Sequence, residues 1–295
     1  MSKFTEGLTV VVCTYNRDKY ITKCVESLVE SLKNVDFNHE LIIVDNNSTD
    51  KTQVILEKLS VKHNFVSLVE STSGLSFARN CGLRASNYRI VSFVDDDAFV
   101  DSNWAREIYN CFLQSDVGSV GGRISPYYEV VPPEWFSSRY YALYSILDDV
   151  GECRPFDKGF GPVGANMAVD ISKLDGNIYF NTDLGRVGNS LLSGEEVEYL
   201  RRFKKKGYLS LYNPHAKVSH VIPHERLTKE WALKRFYWGG ISDCLSQPSR
   251  VRKFAVLLLT LFNCYKAKQS NDEFLWRCNV RALSGVVNQL LGRVQ

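Results

Sequence analysis

Short runs of β-branched residues alternate with stretches of helical periodicity along the first hundred residues. The runs 8–16, 39–45, 65–71 and 89–98 predict strands, and the segments between them repeat apolar residues at helical spacing. Strands that alternate with helices in this way predict an open, parallel α/β sheet. Ligands of such sheets bind beyond the carboxyl ends of the strands, so the polar loops there are the first candidates for a functional site.

The alternation becomes less regular in the second hundred residues. Residues 161–170 predict a strand in which glycine permits a close backbone approach, residues 193–208 a helix, and residues 215–223 a short strand. The rest of the chain is predicted to be helical. We therefore expect an α/β domain of residues 1–222 and a basic helical extension of residues 223–295.

The composition is that of an ordinary globular protein, with 44% hydrophobic and 23% charged residues. The first residues lack the long apolar segment of a secretory signal. The eight cysteines include no C-x-x-C pair, so neither a disulfide framework nor a zinc site is expected. These features predict a cytoplasmic protein, with a peripheral position at the inner face of the cell membrane as the open alternative.

Charge is divided unevenly along the chain. Residues 201–295 contain 18 Lys and Arg but 5 Asp and Glu, a net charge of +13, while residues 1–200 carry −10. A basic segment of this kind is suited to an anionic partner, either membrane headgroups or a phosphorylated substrate, and we expect no nucleic acid. Helices with solvated basic faces are the alternative interpretation.

One apolar run within this basic segment, residues 254–262, is too short to cross a bilayer. As a helix it extends about 13.5 Å, against a hydrocarbon core of about 30 Å. The run is flanked by five basic residues, Arg250, Arg252, Lys253, Lys266 and Lys268. This pattern suits a helix lying in the membrane interface. Core-packing helices with solvated basic faces are the alternative here too.

Three consecutive carboxylates end the fourth predicted strand, where Asp95, Asp96 and Asp97 follow a buried run. Two carboxylates about 4 Å apart repel by about 4 kcal/mol at an effective dielectric constant of about 20. A fold does not keep such a cluster beside its core for stability, so a cation or a ligand with hydroxyls is expected there. The alternative is a helix N-cap, since the following residues predict a helix, but a cap needs only one aspartate.

The order of the motifs is more specific than any single motif. Seven of them follow one another between residues 8 and 224: TYNR, VDNNSTD, GLSFARN, VDDDA, GANMAV, SGEEVEYLRRFKKKG and VSH. In this order they resemble the family 2 glycosyltransferases. The resemblance implies an α/β GT-A fold, a Rossmann-like, mainly parallel sheet flanked by helices, here with a C-terminal helical extension.

The resemblance also implies inverting sugar transfer with Mn²⁺ or Mg²⁺ as cofactor. Nucleotide-sugar binding and catalysis would belong to residues 1–222, and acceptor, membrane-surface or oligomer contacts to residues 223–295. Donor-binding roles are implied for eight residues near the strand ends: Thr14, Tyr15, Arg17, Asp45, Asn47, Arg79, Asp95 and Asp96.

Two of the implied roles concern the nucleotide base and the metal ion. Asp45 occupies the position at which the family's aspartate accepts the uracil N–H, which favours a UDP-sugar, although thymine offers the same group. Asp97 and His220 are implied as the metal ligands. His215 and His224 are competing histidines.

The SGEE motif occupies the position of the family's acidic catalytic pair. Inverting transfer needs a base that takes the proton of the acceptor hydroxyl. The resemblance assigns this role to Glu196, because the second acid of the family's motif usually holds it. Glu195 stays the close alternative, because this chain has Glu where Asp is commoner. Acids in the first turn of a helix opened by Ser193 would also complement the helix dipole.

The resemblance predicts a hexosyl- or N-acetylhexosaminyl-transferase of surface polysaccharide, O-antigen or glycolipid assembly. Contacts to the donor sugar or to a saccharide or lipid-linked saccharide acceptor are implied for Gly164, Ala165, Asn166 and Arg186. For the Asn166 amide the alternative is a turn cap. Two other functions stay open: a non-catalytic saccharide-binding or scaffolding protein, and a sugar-phosphate nucleotidyltransferase. The second would need a glycine- and basic-rich phosphate loop, which the first strand lacks.

Overall fold

The computed structural model describes residues 4–157, 161–188 and 190–294. Within those residues the chain forms nine strands: β1 (Thr5–Thr14), β2 (His39–Asp45), β3 (Val66–Val69), β4 (Tyr88–Asp95), β5 (Ala98–Val100), β6 (Val117–Tyr128), β7 (Arg154–Pro155), β8 (Asn166–Asp170) and β9 (Leu209–Ile222). The α-helices of the same residues are α1 (Ile21–Lys33), α2 (Thr52–His63), α3 (Leu75–Ala85), α4 (Trp104–Cys111), α5 (Glu195–Lys205), α6 (Lys229–Leu245), α7 (Arg250–Gln269) and α8 (Glu273–Leu290).

These strands form one mixed sheet in the order β3-β2-β1-β4-β8-β6-β9-β5, with β7 beside β9. The first four are parallel neighbours, as the alternation predicted. β8 runs antiparallel to both β4 and β6, and β9 runs parallel to β6. The carboxyl ends of β1, β4 and β9 therefore lie at one edge of the sheet. The predicted α/β class with C-terminal helices is confirmed.

The central strand β1 is buried on both faces, which explains its continuous apolar sequence. Val10 and Val12 pack on one side in a cluster that includes Leu28 of α1 and Trp104 of α4. Val11 points to the opposite side and belongs to the cluster beneath α3 and α5. Helices on both sides hold the sheet, so its carboxyl edge is a rigid support for a site.

Two local predictions are wrong. The helix expected to follow the three aspartates begins only at Trp104, because residues Ala98–Val100 form a strand that pairs with β9. The aspartates therefore do not cap that helix. Likewise, α5 is preceded not by a Ser193 cap but by Gly194, whose φ of 102° is in the left-handed region that favours glycine.

The C-terminal helices pack on the α/β part and on one another. Trp231 of α6 and Phe274 of α8 join an aromatic cluster that contains Tyr144. Helices α6 and α8 approach each other closely at Gly240 and Gly285. A Cβ on either residue would lie 2.1 Å from a backbone carbonyl oxygen of the other helix, so the absence of a side chain permits the contact. None of the described helices combines the length and the apolar character needed to cross a membrane.

Candidate active site

Carboxylates and a histidine meet at the carboxyl edge of the sheet. Asp95, Asp97 and His220 each offer one ligand atom, and these atoms lie within 4.8 Å of one another. His220 Nε2 lies 3.1 Å from Asp97 Oδ1, and Nδ1 lies 2.9 Å from the Tyr144 carbonyl oxygen. Because a carbonyl only accepts hydrogen bonds, Nδ1 donates its proton to the Tyr144 oxygen, and Nε2 faces Asp97. This donor set fits a divalent cation.

The other two histidines that the sequence proposed lie elsewhere. His215 is exposed on β9, and His224 is exposed beside Glu225, with 3.4 Å between Nδ1 and Oε2. Among the three candidates, only His220 is brought to the aspartate cluster.

Two arginines also face these carboxylates. Arg17 Nε lies 3.2 Å from Asp96 Oδ1, and Arg226 Nη2 lies 3.2 Å from Asp97 Oδ2. Burial raises the pKa of Asp96 to about 6, against the opposing charge of Arg17. Burial by itself would also raise the pKa of Asp97, but the charges of His220 and Arg226 outweigh it and hold this pKa well below the usual range. Cationic neighbours thus offset the repulsion within the cluster.

The acidic pair of the SGEE motif lies in the first turn of α5, where Arg79 of α3 holds it. Arg79 is 2% exposed, and its guanidinium lies 2.9 Å from Glu195 Oε1 and 3.2 Å from Glu196 Oε1. The two glutamates differ in access. Glu195 is 2% exposed, and its Oε2 has no hydrogen-bond partner among the described residues. The Glu196 side chain is 22% exposed and lines the cavity.

Burial, together with the charge of Glu196, raises the pKa of Glu195 from 4.5 to about 7, although Arg79 opposes the shift. The folded chain thus keeps this proton to a higher pH than the unfolded chain. Raising the pH through this interval therefore lowers the free energy of unfolding. In the wild type this decrease in the free energy of unfolding is at most about 3 kcal/mol. Glu195→Gln removes the titrating group, so we expect the variant not to show the decrease. Its melting temperature should rise relative to the wild type between about pH 5 and about pH 7.5, and parallel curves would contradict the prediction.

Glycine is required beside the acidic pair. A Cβ on Gly164 would lie 2.0 Å from Glu196 Oε1 and 2.4 Å from Arg79 Nη2. Gly164 thus provides the close backbone approach that the sequence predicted. Its missing Cβ leaves room for the Arg79–Glu196 ion pair.

The structure contradicts the predicted sugar contacts of Ala165 and Asn166. Both are fully buried and lie outside the cavity wall. The Asn166 Nδ2 donates to the Ala216 carbonyl oxygen at 2.8 Å, and its Oδ1 accepts from Trp104 Nε1 at 2.9 Å. The Asn166 amide thus has a structural role in the core, where its hydrogen bonds join three segments that are distant in the sequence.

A cavity of about 590 Å³ connects the aspartate cluster to the acidic pair. Its wall contains most of the predicted site residues: Thr14, Tyr15, Arg17, Arg79, Asp95, Asp96, Asp97, Arg186, Glu195, Glu196 and His220. Asp45 and Asn47 lie outside this wall; Asp45 accepts a hydrogen bond from the Ser48 N–H at 3.1 Å. Their neighbour Asn46 lines it instead.

The wall residues that sequence reasoning missed include three from the C-terminal extension, Arg226, Trp231 and Arg235. All three lie in the segment 223–240, whose sequence carried no pattern that indicated where it packs. The C-terminal extension thus completes the cavity.

A sheet with an acidic cluster at its carboxyl edge, facing a second acidic pair across one cavity, is the arrangement of a GT-A glycosyltransferase. The sequence pattern of the family described as Glycosyl transferase family 2 matches residues 9–174, more than half of the chain. The chain belongs to this family and is a glycosyltransferase.

Named relatives agree with this class. The chain is 25% identical over 242 residues to a glucosyl-dolichyl phosphate glucuronosyltransferase of Haloferax volcanii, which covers 80% of this chain and 75% of that protein. It is 26% identical over 259 residues to glycosyltransferase GlyA of Streptococcus pneumoniae, which covers 82% of this chain but only 34% of that longer protein.

One solved structure shows the same fold. The mannosyltransferase PcManGT of Pyrobaculum calidifontis, solved in complex with GDP-Man and Mn²⁺, matches with a TM-score of 0.62 at 17% identity. The match covers 97% of this chain and 88% of that one. The predicted GT-A fold is confirmed.

Proposed function

We propose that the protein is an inverting, metal-dependent glycosyltransferase. It moves a hexosyl or N-acetylhexosaminyl group from a nucleoside diphosphate, with UDP preferred, to an acceptor hydroxyl in surface polysaccharide, O-antigen or glycolipid assembly. One observation carries the proposal: the Asp95–Asp97–His220 cluster and the Glu195–Glu196 pair face the same cavity. A donor diphosphate and an acceptor hydroxyl held in that space would meet at the sugar between them.

Donor binding is assigned to the carboxyl edge of the sheet. Asp95, Asp97 and His220 would hold Mn²⁺ or Mg²⁺, which when bound stabilises the charge of the departing nucleoside diphosphate. Arg17 and Arg226, which already face this cluster, exchange a carboxylate partner for a phosphate oxygen as the diphosphate enters.

The nucleoside is assigned to the loops that follow β1 and β2. Thr14 and Tyr15 line the cavity there, and Tyr15 is 46% exposed, so its ring is accessible to the base. The preference for UDP rests on Asp45 and Asn47, which flank the cavity residue Asn46 and are assigned to the uracil edge. The relative from Haloferax volcanii, by its name, acts on a lipid-linked sugar phosphate, which favours a lipid-linked acceptor here.

Base catalysis is assigned to Glu196. Its carboxylate takes the proton of the acceptor hydroxyl as the oxygen attacks the anomeric carbon on the face opposite the departing diphosphate. Arg79 fixes this carboxylate at 3.2 Å, and Gly164 leaves the space that the pair needs. Attack from the opposite face inverts the anomeric configuration.

Calorimetric titration of UDP, GDP and dTDP, each with Mn²⁺ and with EDTA, tests the donor site. We expect one nucleotide, UDP, to bind in the presence of Mn²⁺ and to lose most of its affinity in EDTA. If none of the three nucleotides binds, the non-catalytic saccharide-binding alternative is favoured and the proposal fails.

We further propose that residues 223–295 form a unit that carries the enzyme to an anionic membrane surface through α7. The apolar residues of α7 repeat at helical spacing on the side that faces solvent: Val251, Phe254, Leu258, Leu261, Phe262 and Tyr265. Leu258 is 53% exposed and Phe262 50% exposed, although both are large apolar side chains. A helix with such a face is suited to lie in the interface plane.

Charge favours a membrane over a second copy of the chain as the occupant of this face. Helix α7 contains five basic residues and no acidic residue. Two copies packed through this face would bring ten like charges together, whereas anionic headgroups would neutralise them. On the helical wheel, Lys266 and Lys268 lie on either side of the apolar face, where their side chains can reach the headgroups.

We expect the wild type to float with phosphatidylcholine vesicles that contain phosphatidylglycerol, at low salt, and not with vesicles of phosphatidylcholine alone. Leu258→Glu and Phe262→Glu should abolish flotation, because each places a carboxylate in the apolar face. Val61→Glu, at an 88% exposed position on α2, is the matched control. A wild type that fails to float and instead forms a dimer in light scattering would contradict the membrane assignment.

A further inference from the structure

Two arginines of the cavity wall form no ion pair with the described residues. Arg17, Arg79 and Arg226 each form an ion pair with a carboxylate of the site. Arg186, in the loop before α5, and Arg235, on α6, form none with any residue that the structure describes, although both line the same cavity. The carboxylates of this wall thus leave two of its guanidinium groups without an ion pair.

Arg235 is held in place but poorly satisfied. Its Nη1 donates to the Leu191 carbonyl oxygen at 3.3 Å and its Nη2 to Ser193 Oγ at 3.4 Å, both long for hydrogen bonds. Its Nε is buried and has no partner among the described residues. Burial and the charge of Arg186 lower its pKa, against the opposing charges of Glu196, Glu195 and Asp243. Asp243, further along α6, forms no ion pair with it in the described part of the chain.

Arg186 lines the cavity that connects the two acidic groups of the site. Its charge lowers the pKa of Asp95 on one side and that of Glu195 on the other, in each case against the larger effect of burial. Its side chain forms no hydrogen bond with the residues that the structure describes. It follows Gly185, whose φ of 96° is in the left-handed region. Because no described side chain or carbonyl holds the guanidinium, it can turn towards a bound molecule.

We propose that Arg186 and Arg235 form a subsite for an oxyanion, a carboxylate or a phosphate, that one of the two substrates carries on the Glu196 side of the cavity. This inference rests on the proposed function, because the proposed function assigns the donor and the acceptor to this cavity. A guanidinium matches the two oxygens of a carboxylate or phosphate with parallel N–H groups. Such an anion would also give the buried Arg235 the ion-pair partner that it lacks among the described residues.

The oxyanion has two possible sources, and two pairs of probes distinguish them. UDP-glucuronate and UDP-glucose differ at C6 of the sugar, a carboxylate against a hydroxymethyl group, and report an anion on the donor. Glucose 1-phosphate and methyl glucoside report an anion on the acceptor. The second pair is titrated into protein that already holds UDP and Mn²⁺, so that the diphosphate position is filled.

We expect the wild type to bind the anionic member of one pair at least about tenfold more tightly than the neutral member. Arg186→Gln should reduce this preference to about twofold or less, because the variant removes one guanidinium from a loop position without hydrogen bonds. Arg235→Gln should do the same, and Arg235→Lys should restore part of it. Arg281→Gln, at an exposed position on α8, should keep the full preference.

Each outcome is decisive. A preference in the first pair assigns the carboxylate to the donor sugar, and one in the second pair assigns the anion to the acceptor. No preference in either pair overturns the inference, whether or not UDP binds. UDP binding with Mn²⁺ but without such a preference leaves the proposed function standing, whereas failure of UDP, GDP and dTDP to bind contradicts the proposed function itself.

Discussion

Glu196→Gln is expected to lower the rate of sugar transfer by a factor of about 10²–10⁴ while leaving the affinity for the nucleotide nearly unchanged. Glutamine has almost the same shape and can still accept a hydrogen bond from Arg79, but it cannot take the proton of the acceptor hydroxyl. The loss should therefore appear in kcat and not in donor binding. Transfer is measured as release of the nucleoside diphosphate, and binding by calorimetry with Mn²⁺.

The neighbouring glutamates supply the controls for this variant. Glu198→Gln makes the same substitution on the outer side of α5, where the carboxylate pairs with Arg202, and should retain transfer. Glu195→Gln separates the two candidates for the base, because both line the cavity but Glu195 is 2% exposed and the Glu196 side chain 22%. A normal rate for Glu196→Gln combined with a lost rate for Glu195→Gln would transfer the catalytic role to Glu195.

Asp97→Asn is expected to remove the dependence of nucleotide binding on the metal ion. Asp97 supplies a carboxylate oxygen to the cluster with Asp95 and His220, and an amide oxygen is a much weaker ligand for a divalent cation. In Mn²⁺ the affinity of the variant should therefore fall to the level of the wild type in EDTA. Because Arg17 and Arg226 would remain, weak metal-independent binding of the diphosphate should persist.

Asp101→Asn is the matched control, since Asp101 is exposed just beyond β5 and, within the described residues, its carboxylate accepts a single hydrogen bond, from the Asn103 N–H. A thermal melt without ligand shows whether the Asp97 variant is folded, because its buried neighbours lose a charged partner. Metal-dependent binding of normal strength by folded Asp97→Asn would remove Asp97 from the metal site and leave His220 and Asp95 to be tested in turn.

Much of the candidate site follows from local pattern. The polar residues that follow β1 and β4 had to lie at one edge, since parallel strands present their carboxyl ends together. Thr14, Arg17 and the three aspartates were predictable for this reason. The exposed face of α7 also follows from helical periodicity, although the sequence alone left core packing as an equal interpretation.

Long-range pairing determined the remainder of the site. Asp97 meets Arg226 across 129 positions, and Arg79 meets Glu195 across 116. Neither contact is encoded in a local pattern, because it depends on how β9 and α5 are placed against the first half of the sheet. Asn166 was misjudged for the same reason: its partners Trp104 and Ala216 lie far away in the sequence.

The sequence by itself determined that this chain forms an α/β sheet with acidic residues at its ligand-binding edge, since alternation of apolar runs and polar strand ends is a local property. Only the tertiary structure decided that β5 is a strand, because its three residues depend on pairing with β9. It also decided that Arg226 and Arg235 of the extension reach the cavity. From the sequence alone both side chains would be interpreted as solvated charges, because the packing of the extension depends on residues that are far away in the sequence.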